Sequence, residues 1–213
     1  MMRSCLNDYT ICIWARNTNA LPDMQRFFSG AANDSGWSMG IEINSSPNLV
    51  CYWEGQDGVW SDDYPSGYTM PINTWTFFCM THHYAGGTYT GTLWVNATNY
   101  SSHDFDVDGL ADEDAGWCIG GDYFYGPYYQ CFDGEVDEPL VFGRVLTAQE
   151  ITNLYNAGAG SYGNTNNAPW NNGLICGWHL DEGTGTNLSD FSTNNSGGSV
   201  TGTTWINGKI SIP

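Results

Sequence analysis

Short runs of β-branched and aromatic residues, each closed by glycine, asparagine or aspartate, recur along most of this chain and restrict it to a sheet architecture. YTICIWAR (Tyr9 to Arg16) alternates and reads as a strand. RFFSG and GWSMGIEI (Gly36 to Ile43) follow, parted by the turn-like AANDSG, and LVCYWEG (Leu49 to Gly55) adds another. QDGVWSDDYPSGYTM reads as a loop or an irregular edge. WTFFCMTHHY (Trp75 to Tyr84) is a strand, AGGTYTG turns, and TLWVNAT (Thr92 to Thr98) returns antiparallel. HDFDVDGLADEDAG is loop, and WCIGGDY and QCFDGEVDEPLVF are the last strands before position 145. Many short strands with turns between them indicate an all-β chain: two antiparallel sheets in a sandwich or jelly roll.

One helix interrupts this pattern, at about 147–157. In LTAQEITNLYNAG, Thr147 is the N-cap and Glu150 stands three residues later, a capping box. Leu146 and Ile151 fit a hydrophobic staple, Ile151, Leu154 and Tyr155 share one apolar face, and Gly158 ends the helix. The helix should pack on the sandwich. After a polar spacer, GSYGNTNNAPWNNG, LICGWHL (Leu174 to Leu180) reads as a strand and SVTGTTWINGKISIP as one or two short ones.

With 213 residues the chain suits one large sandwich or one and a half small ones. The net charge of −18 leaves no basic footprint for reading a nucleic-acid backbone, and it disfavours anionic membranes. No apolar run approaches a membrane span. The opening MMRSCLNDYTICIW lacks the form of a signal peptide, which suits a mature chain or a virion protein released by lysis. The seven cysteines include no CxxC pair, so a zinc knuckle is not expected. Cys118 and Cys131 flank a hairpin and are candidates for a bridge, whereas Cys12 and Cys79 look like buried thiols inside strands.

Several of these segments together resemble the laminin-G-like, concanavalin A-like jelly-roll domains, in the subgroup common in bacterial, phage and environmental proteins. DGEVDEPLVFGRVLTAQEI (Asp133 to Ile151) is similar to that family's closing motif, with Pro139 where a β-branched residue is usual, a position that fits an edge or bulge. YTICIWAR, TWTFFCMTHH and LWVNAT resemble its internal strands. WHLDEGTGTNLSDFS (Trp178 to Ser192) resembles its opening motif, yet here it follows the closing one. The tail TWINGKISIP and the start SCLNDYTICIW would join into one complete domain. The expectation is therefore a single circularly permuted domain over 1–213. Its main body is 1–158, its spacer 159–173, and its segment 174–213 supplies the opening strands. Donation of that segment to a neighbouring copy, or a broken tandem array, are the alternatives.

Chemistry is sparse. Glu135 and Asp137 alternate with Asp133 on one strand face while Glu138 points oppositely. Two acids on a jelly-roll face suggest glycoside hydrolysis only remotely, because the closing motif belongs to a non-catalytic family. No residue is expected to be catalytic. Related jelly rolls bind a structural calcium ion where opening and closing segments meet, which here implies Asp133, Asp137 and Asp181. The acidic loop with Asp106, Asp108, Asp112 and Asp114 lacks EF-hand spacing. His82 and His83 face opposite ways, and His103 and His179 stand isolated. Tyr52, Trp53, Trp60 and Tyr64, with Tyr123, Phe124, Tyr125, Tyr128 and Tyr129, form two aromatic clusters suited to stacking on a glycan or to a protein interface. The expected function is a non-catalytic structural or display protein on a multi-copy surface, such as a phage capsid decoration or fibre-associated protein. It would stand on the virion surface or outside the cell, with copies of itself, a capsid or fibre protein, or a glycan as partner. The alternative is a secreted or cell-surface carbohydrate- or protein-binding module, and the remote one a glycoside hydrolase or lyase.

Overall fold

The computed structural model describes residues 8–19, 24–31, 37–44, 49–54, 64–105, 117–121, 130–156 and 172–210. In chain order these form β1 (Tyr9–Asn17), β2 (Gln25–Ala31), β3 (Trp37–Asn44), β4 (Leu49–Glu54), β5 (Tyr64–Thr69) and β6 (Thr76–Ala85). Then come β7 (Thr88–Val95), β8 (Thr98–Phe105), β9 (Trp117–Ile119), β10 (Gly134–Phe142), α1 (Ala148–Asn156), β11 (Leu174–Gly177), β12 (Asn187–Leu188) and β13 (Gly198–Ser199). A six-stranded sheet runs β11-β10-β1-β6-β7-β8, and a five-stranded sheet runs β5-β4-β3-β2-β9. β12 and β13 form a small ribbon. Every pairing between named strands is antiparallel. This is an all-β, concanavalin A-like jelly roll with one short helix.

The core lies in two layers. Ile11, Ile13, Phe78, Met80, Leu93 and Val141 of the larger sheet meet Phe27, Phe28, Ile41, Ile43 and Val50 of the smaller one. On the opposite face of the larger sheet, Trp14, Phe77, Leu140 and Phe142 pack with Ile151 and Leu154 of α1 and with Ile210 of the tail. β1 is therefore buried on both faces, which explains why YTICIWAR is so nearly apolar throughout. Burying each large side chain fully contributes on the order of 1.5–3 kcal/mol before chain entropy is counted.

The helix forms as its local signals direct. The Thr147 N–H donates to Glu150 Oε2 at 2.8 Å, and the Glu150 N–H to Thr147 Oγ1 at 3.3 Å. Arg144 grips the same carboxylate at 2.6 and 2.9 Å, which with the Thr147 bonds pulls Glu150 down to about 2. Leu146 and Ile151 are buried in one cluster, as a staple requires, and Tyr155 stacks on Trp14 at 5.6 Å. Gly158 lies outside the described residues.

Two expectations are corrected and one is narrowed. The strand expected over Thr92 to Thr98 stops at Val95. Asn96 and Ala97 both take positive φ, 48° and 62°, the geometry of a tight hairpin, and β8 then continues to Phe105. Asn96 Oδ1 also accepts the Phe77 N–H at 3.0 Å, which fixes the turn against β6. Of the loop or irregular edge expected around YPSGYT, the edge is what forms: β5 borders the smaller sheet with a register shift against β4, and Pro65 is tolerated because the edge needs no further donor. Finally, Cys131 is a free thiol, so it makes no bridge to Cys118. Cys12 and Cys79 are instead directly opposed in the β1–β6 register and joined in a disulfide across 4.1 Å between Cα atoms.

Candidate functional site

β10 carries the acidic residues, and a bulge decides where they go. Its register against β1 runs from Leu140↔Cys12 to Asp137↔Trp14, so Glu138 and Pro139 stand opposite Ile13 alone. Glu138 has φ +50°, an uncommon conformation for a residue with a side chain. Pro139 needs no ladder donor here, and its carbonyl accepts the Trp178 N–H at 3.2 Å. Simple alternation would separate Asp137 from Glu138. The bulge instead lets both carboxyl groups reach the terminal segment, which corrects the expectation that Glu138 points away.

Both carboxyls are buried, with 1% and 0% exposure. Asp137 accepts the Ile210 N–H at 2.8 Å, and the Lys209 N–H as well. Gly208 passes so close that an added Cβ would lie 2.6 Å from Asp137 Oδ2. Burial pushes the Asp137 carboxyl up to about 6, against the pull of those backbone donors and with help from the charge on Asp181. Glu138 faces His179 Nδ1 at 2.9 and 3.0 Å. Burial raises it to about 7, opposed by His179 and assisted by Asp137 and Asp181. His179 lies flat on Phe191 at 4.2 Å. The pair Glu138–His179 was not anticipated. Its signal was present in the adjacent charge and proline of DEP, which mark a break in alternation, and in the HLDE run that pairs with it.

The rest of the terminal segment is a turn built on Asp190. Its carboxylate accepts N–H groups from Gly177 (3.0 Å), Ser192 (2.8 Å) and Ser196 (2.6 Å) and the Ser192 hydroxyl (2.7 Å). β11 adds to the edge of β10 within the same chain, Leu140↔Gly177 and Val141↔Cys176. β10 and the terminal segment thus meet side by side.

The three carboxylates expected to hold calcium are not all brought together at this junction. Asp133 is bound elsewhere, its carboxylate accepting from Asn19 Nδ2 at 3.0 Å and its N–H donating to Gln25 Oε1 at 2.6 Å. It stands four residues before Asp137 on an extended chain, about 13 Å away. Asp137 and Asp181 are neighbours, but Asp137 is turned to N–H donors, and a calcium ion needs six or more oxygens. Among the described residues no group of three or more His, Cys, Asp or Glu side chains is arranged to hold a metal ion. The acidic loop carrying Asp106 to Asp114 lies outside the described residues.

Of the aromatic candidates, β4 and β5 place Tyr52 directly opposite Tyr64, and Trp53 opposite Gly40 of β3. Tyr64 stacks on His103 at 4.0 Å, and Tyr68 meets Tyr100 edge-on at 5.2 Å. These rings close the side where the edge strands β5 and β8 approach, and Tyr100 is 46% exposed. Trp60, Tyr123, Phe124, Tyr125, Tyr128 and Tyr129 lie outside the described residues.

Solved structures share this architecture. A Bacteroides ovatus protein to which carbohydrate binding has been attributed aligns with a TM-score of 0.66 at 17% identity, over 91% of this chain and 52% of its own. This chain thus spans about half that protein's length, and the overlap is too large to stop at α1. A heptameric SAP-like pentraxin from Limulus polyphemus aligns with a TM-score of 0.53 at 15% identity, over 70% of each chain. Domain 4 of a GH43 extracellular arabinanase from Geobacillus stearothermophilus, solved with arabinotriose, gives 0.52 at 18% identity, over 70% of this chain and 66% of its own. At such identities the likeness is one of fold. No curated protein sequence matches the chain. Residues 3–152 do match a family profile, and with the two-sheet jelly roll they settle the assignment: the chain belongs to the concanavalin A-like lectin/glucanases superfamily.

Proposed function

We propose that this chain is a non-catalytic, lectin-type binding module that takes a glycan on aromatic rings. The observation that carries this reading is superfamily membership through most of the chain, on a fold shared with an arabinotriose-bound domain. Aromatic rings gather where β5 and β8 approach, and there Tyr100, 46% exposed and edge-on to Tyr68, offers the ring surface that sugar stacking uses. The net charge of −18 repels anionic polysaccharides, so the expected ligand is neutral. The Cys12–Cys79 disulfide supports an oxidising, extracellular setting. No helix among the described residues is long and apolar enough to cross a membrane. The pairing of β11 with β10 in one chain supports the reading of residues 174–213 as opening strands supplied to the same domain.

Display on a virion, with copies of itself or a capsid or fibre protein as partner, is the less supported reading. The structures named above are a bacterial protein, an animal pentraxin and an enzyme-borne domain rather than virion components. A glycan array probed with the purified chain tests the proposal. Retention of neutral oligosaccharides, weakened about tenfold by Tyr100→Ala, a loss on the order of 1.4 kcal/mol, is the expected result. A blank array, or hydrolysis of a retained sugar, would overturn it.

A further inference from the structure

The outer face of the six-stranded sheet is closed at one end by a strap, residues 207–210. Ile210 is buried beside α1, and Lys209 Nζ sits over the Trp14 ring at 5.3 Å. The strap is held by one carboxylate, that of Asp137, through the N–H groups of Lys209 and Ile210. Its first residues are Asn207 and Gly208. We propose that Asn207–Gly208 is a self-modification site: Asn207 deamidates through its own backbone, and the resulting isoaspartyl link loosens the strap from Trp14.

The chemistry needs only water. The Gly208 backbone nitrogen attacks Asn207 Cγ, the new N–C bond forms as ammonia leaves, and a five-membered succinimide results. Water then opens either ring carbonyl, giving aspartate or isoaspartate. Glycine favours the attack because no side chain hinders the approaching nitrogen and its backbone is unusually free. The sequence contains two Asn–Gly pairs, Asn172–Gly173 and Asn207–Gly208. Their surroundings differ. At the first, the Asn172 carbonyl accepts Arg144 Nε at 2.5 Å and the Gly173 carbonyl accepts the Gly143 N–H at 2.7 Å. Gly173 is further locked at φ +79° with Arg144 Cδ 3.0 Å from where a Cβ would stand. Asn207, by contrast, is exposed, and residues 201–208 lie in neither helix nor strand. No helix or strand ladder fixes the exposed Asn207, so its side chain can turn onto the Gly208 nitrogen while Gly208 stays packed on Asp137.

The product would not fit where Asn207 now fits. An isoaspartyl link routes the main chain through the side chain and lengthens it by one carbon. Gly208 has no slack to absorb that, packed as it is against the Asp137 carboxyl. The link also leaves a new carboxylate in a region that already holds Asp137, Glu138 and Asp181. Like charges so placed repel. Lys209 and Ile210 then lose their hold on Asp137, and the Trp14–Tyr155 stack is uncovered.

The intact chain aged in mildly alkaline buffer supplies the test, with peptide mapping by mass spectrometry, enzymatic methyl labelling of isoaspartate, and amide exchange at residues 209 and 210. The expected result is conversion of Asn207 ahead of Asn172, isoaspartate at 207, and loss of amide protection at Lys209 and Ile210. Asn207→Gln, aged in parallel, keeps that protection. Persistence of Asn207, or conversion no faster than at Asn172, overturns the site. Conversion with protection retained overturns the release of the strap.

Discussion

Single side chains at the β10 bulge set how this fold responds to pH. Asp137 and Glu138 hold protons in the folded chain up to about 6 and about 7, above their ordinary 3.8 and 4.5. The folded state therefore binds more protons than the unfolded one across that interval, and the pair's contribution to stability falls as pH rises through it. Glu150 works the other way: lowered to about 2 from 4.5, its contribution is full above its ordinary value and is lost as pH falls through about 2. The melting temperature should therefore peak in mild acid, with Glu138→Gln flattening the decline on the alkaline side. A thermal-shift series across pH checks this, and an unchanged slope in the variant would discredit the assignment. Gly208→Ala should cost about 1–3 kcal/mol in urea unfolding, because its Cβ would enter the Asp137 carboxyl. Residue alternation put Asp133, Glu135 and Asp137 on one strand face, yet Asp133 and Asp137 end in separate surroundings. Pro139 marked the place for an edge or bulge, and the register confirms a bulge there; where it sends Glu138 follows from how β10 must pair with β1 and β11 at once.

Elements differ in how far their sequence betrays them. α1 was legible to within a residue because its determinants, Thr147, Glu150, Leu146 and Ile151, lie within one turn of each other. Thr147→Ala should destabilise the fold by about 1 kcal/mol, read as a shift in the urea midpoint. The Asn96–Ala97 hairpin was missed because a tight turn spends only two residues, and the flanking VNAT looks strand-like. The disulfide was missed for a different reason. Cys12 and Cys79 are 67 residues apart, and only the β1–β6 register brings them face to face. Replacing both by serine should cost about 2–4 kcal/mol. Reducing agent should produce the same loss in the native chain and none in the double variant.

At the scale of the whole molecule, the sandwich was readable from the spacing of strands and turns, whereas the sheet order was not, since it depends on long-range pairing such as β1 with β10. The acidic junction was foreseen as a meeting of two motifs, and there the Asp137 carboxylate accepts the backbone N–H groups of Lys209 and Ile210 and so anchors the tail. Chelation is accordingly expected to leave the melting temperature unchanged. The five Lys and Arg residues carry one further consequence. Arg16 is paired with Glu135 and lies over Trp75, Arg26 is buried on Glu42, and Arg144 is clamped to Glu150. A trypsin-like protease must pull an extended segment into its cleft, and these three arginines sit in strands or a clamped turn that will not yield one. Lys209, exposed on the strap, is the remaining cationic side chain among the described residues. A brief tryptic digest should thus nick the folded protein at Lys209 before any other described position, and the rate of that nick would serve as a direct gauge of how tightly the strap is closed.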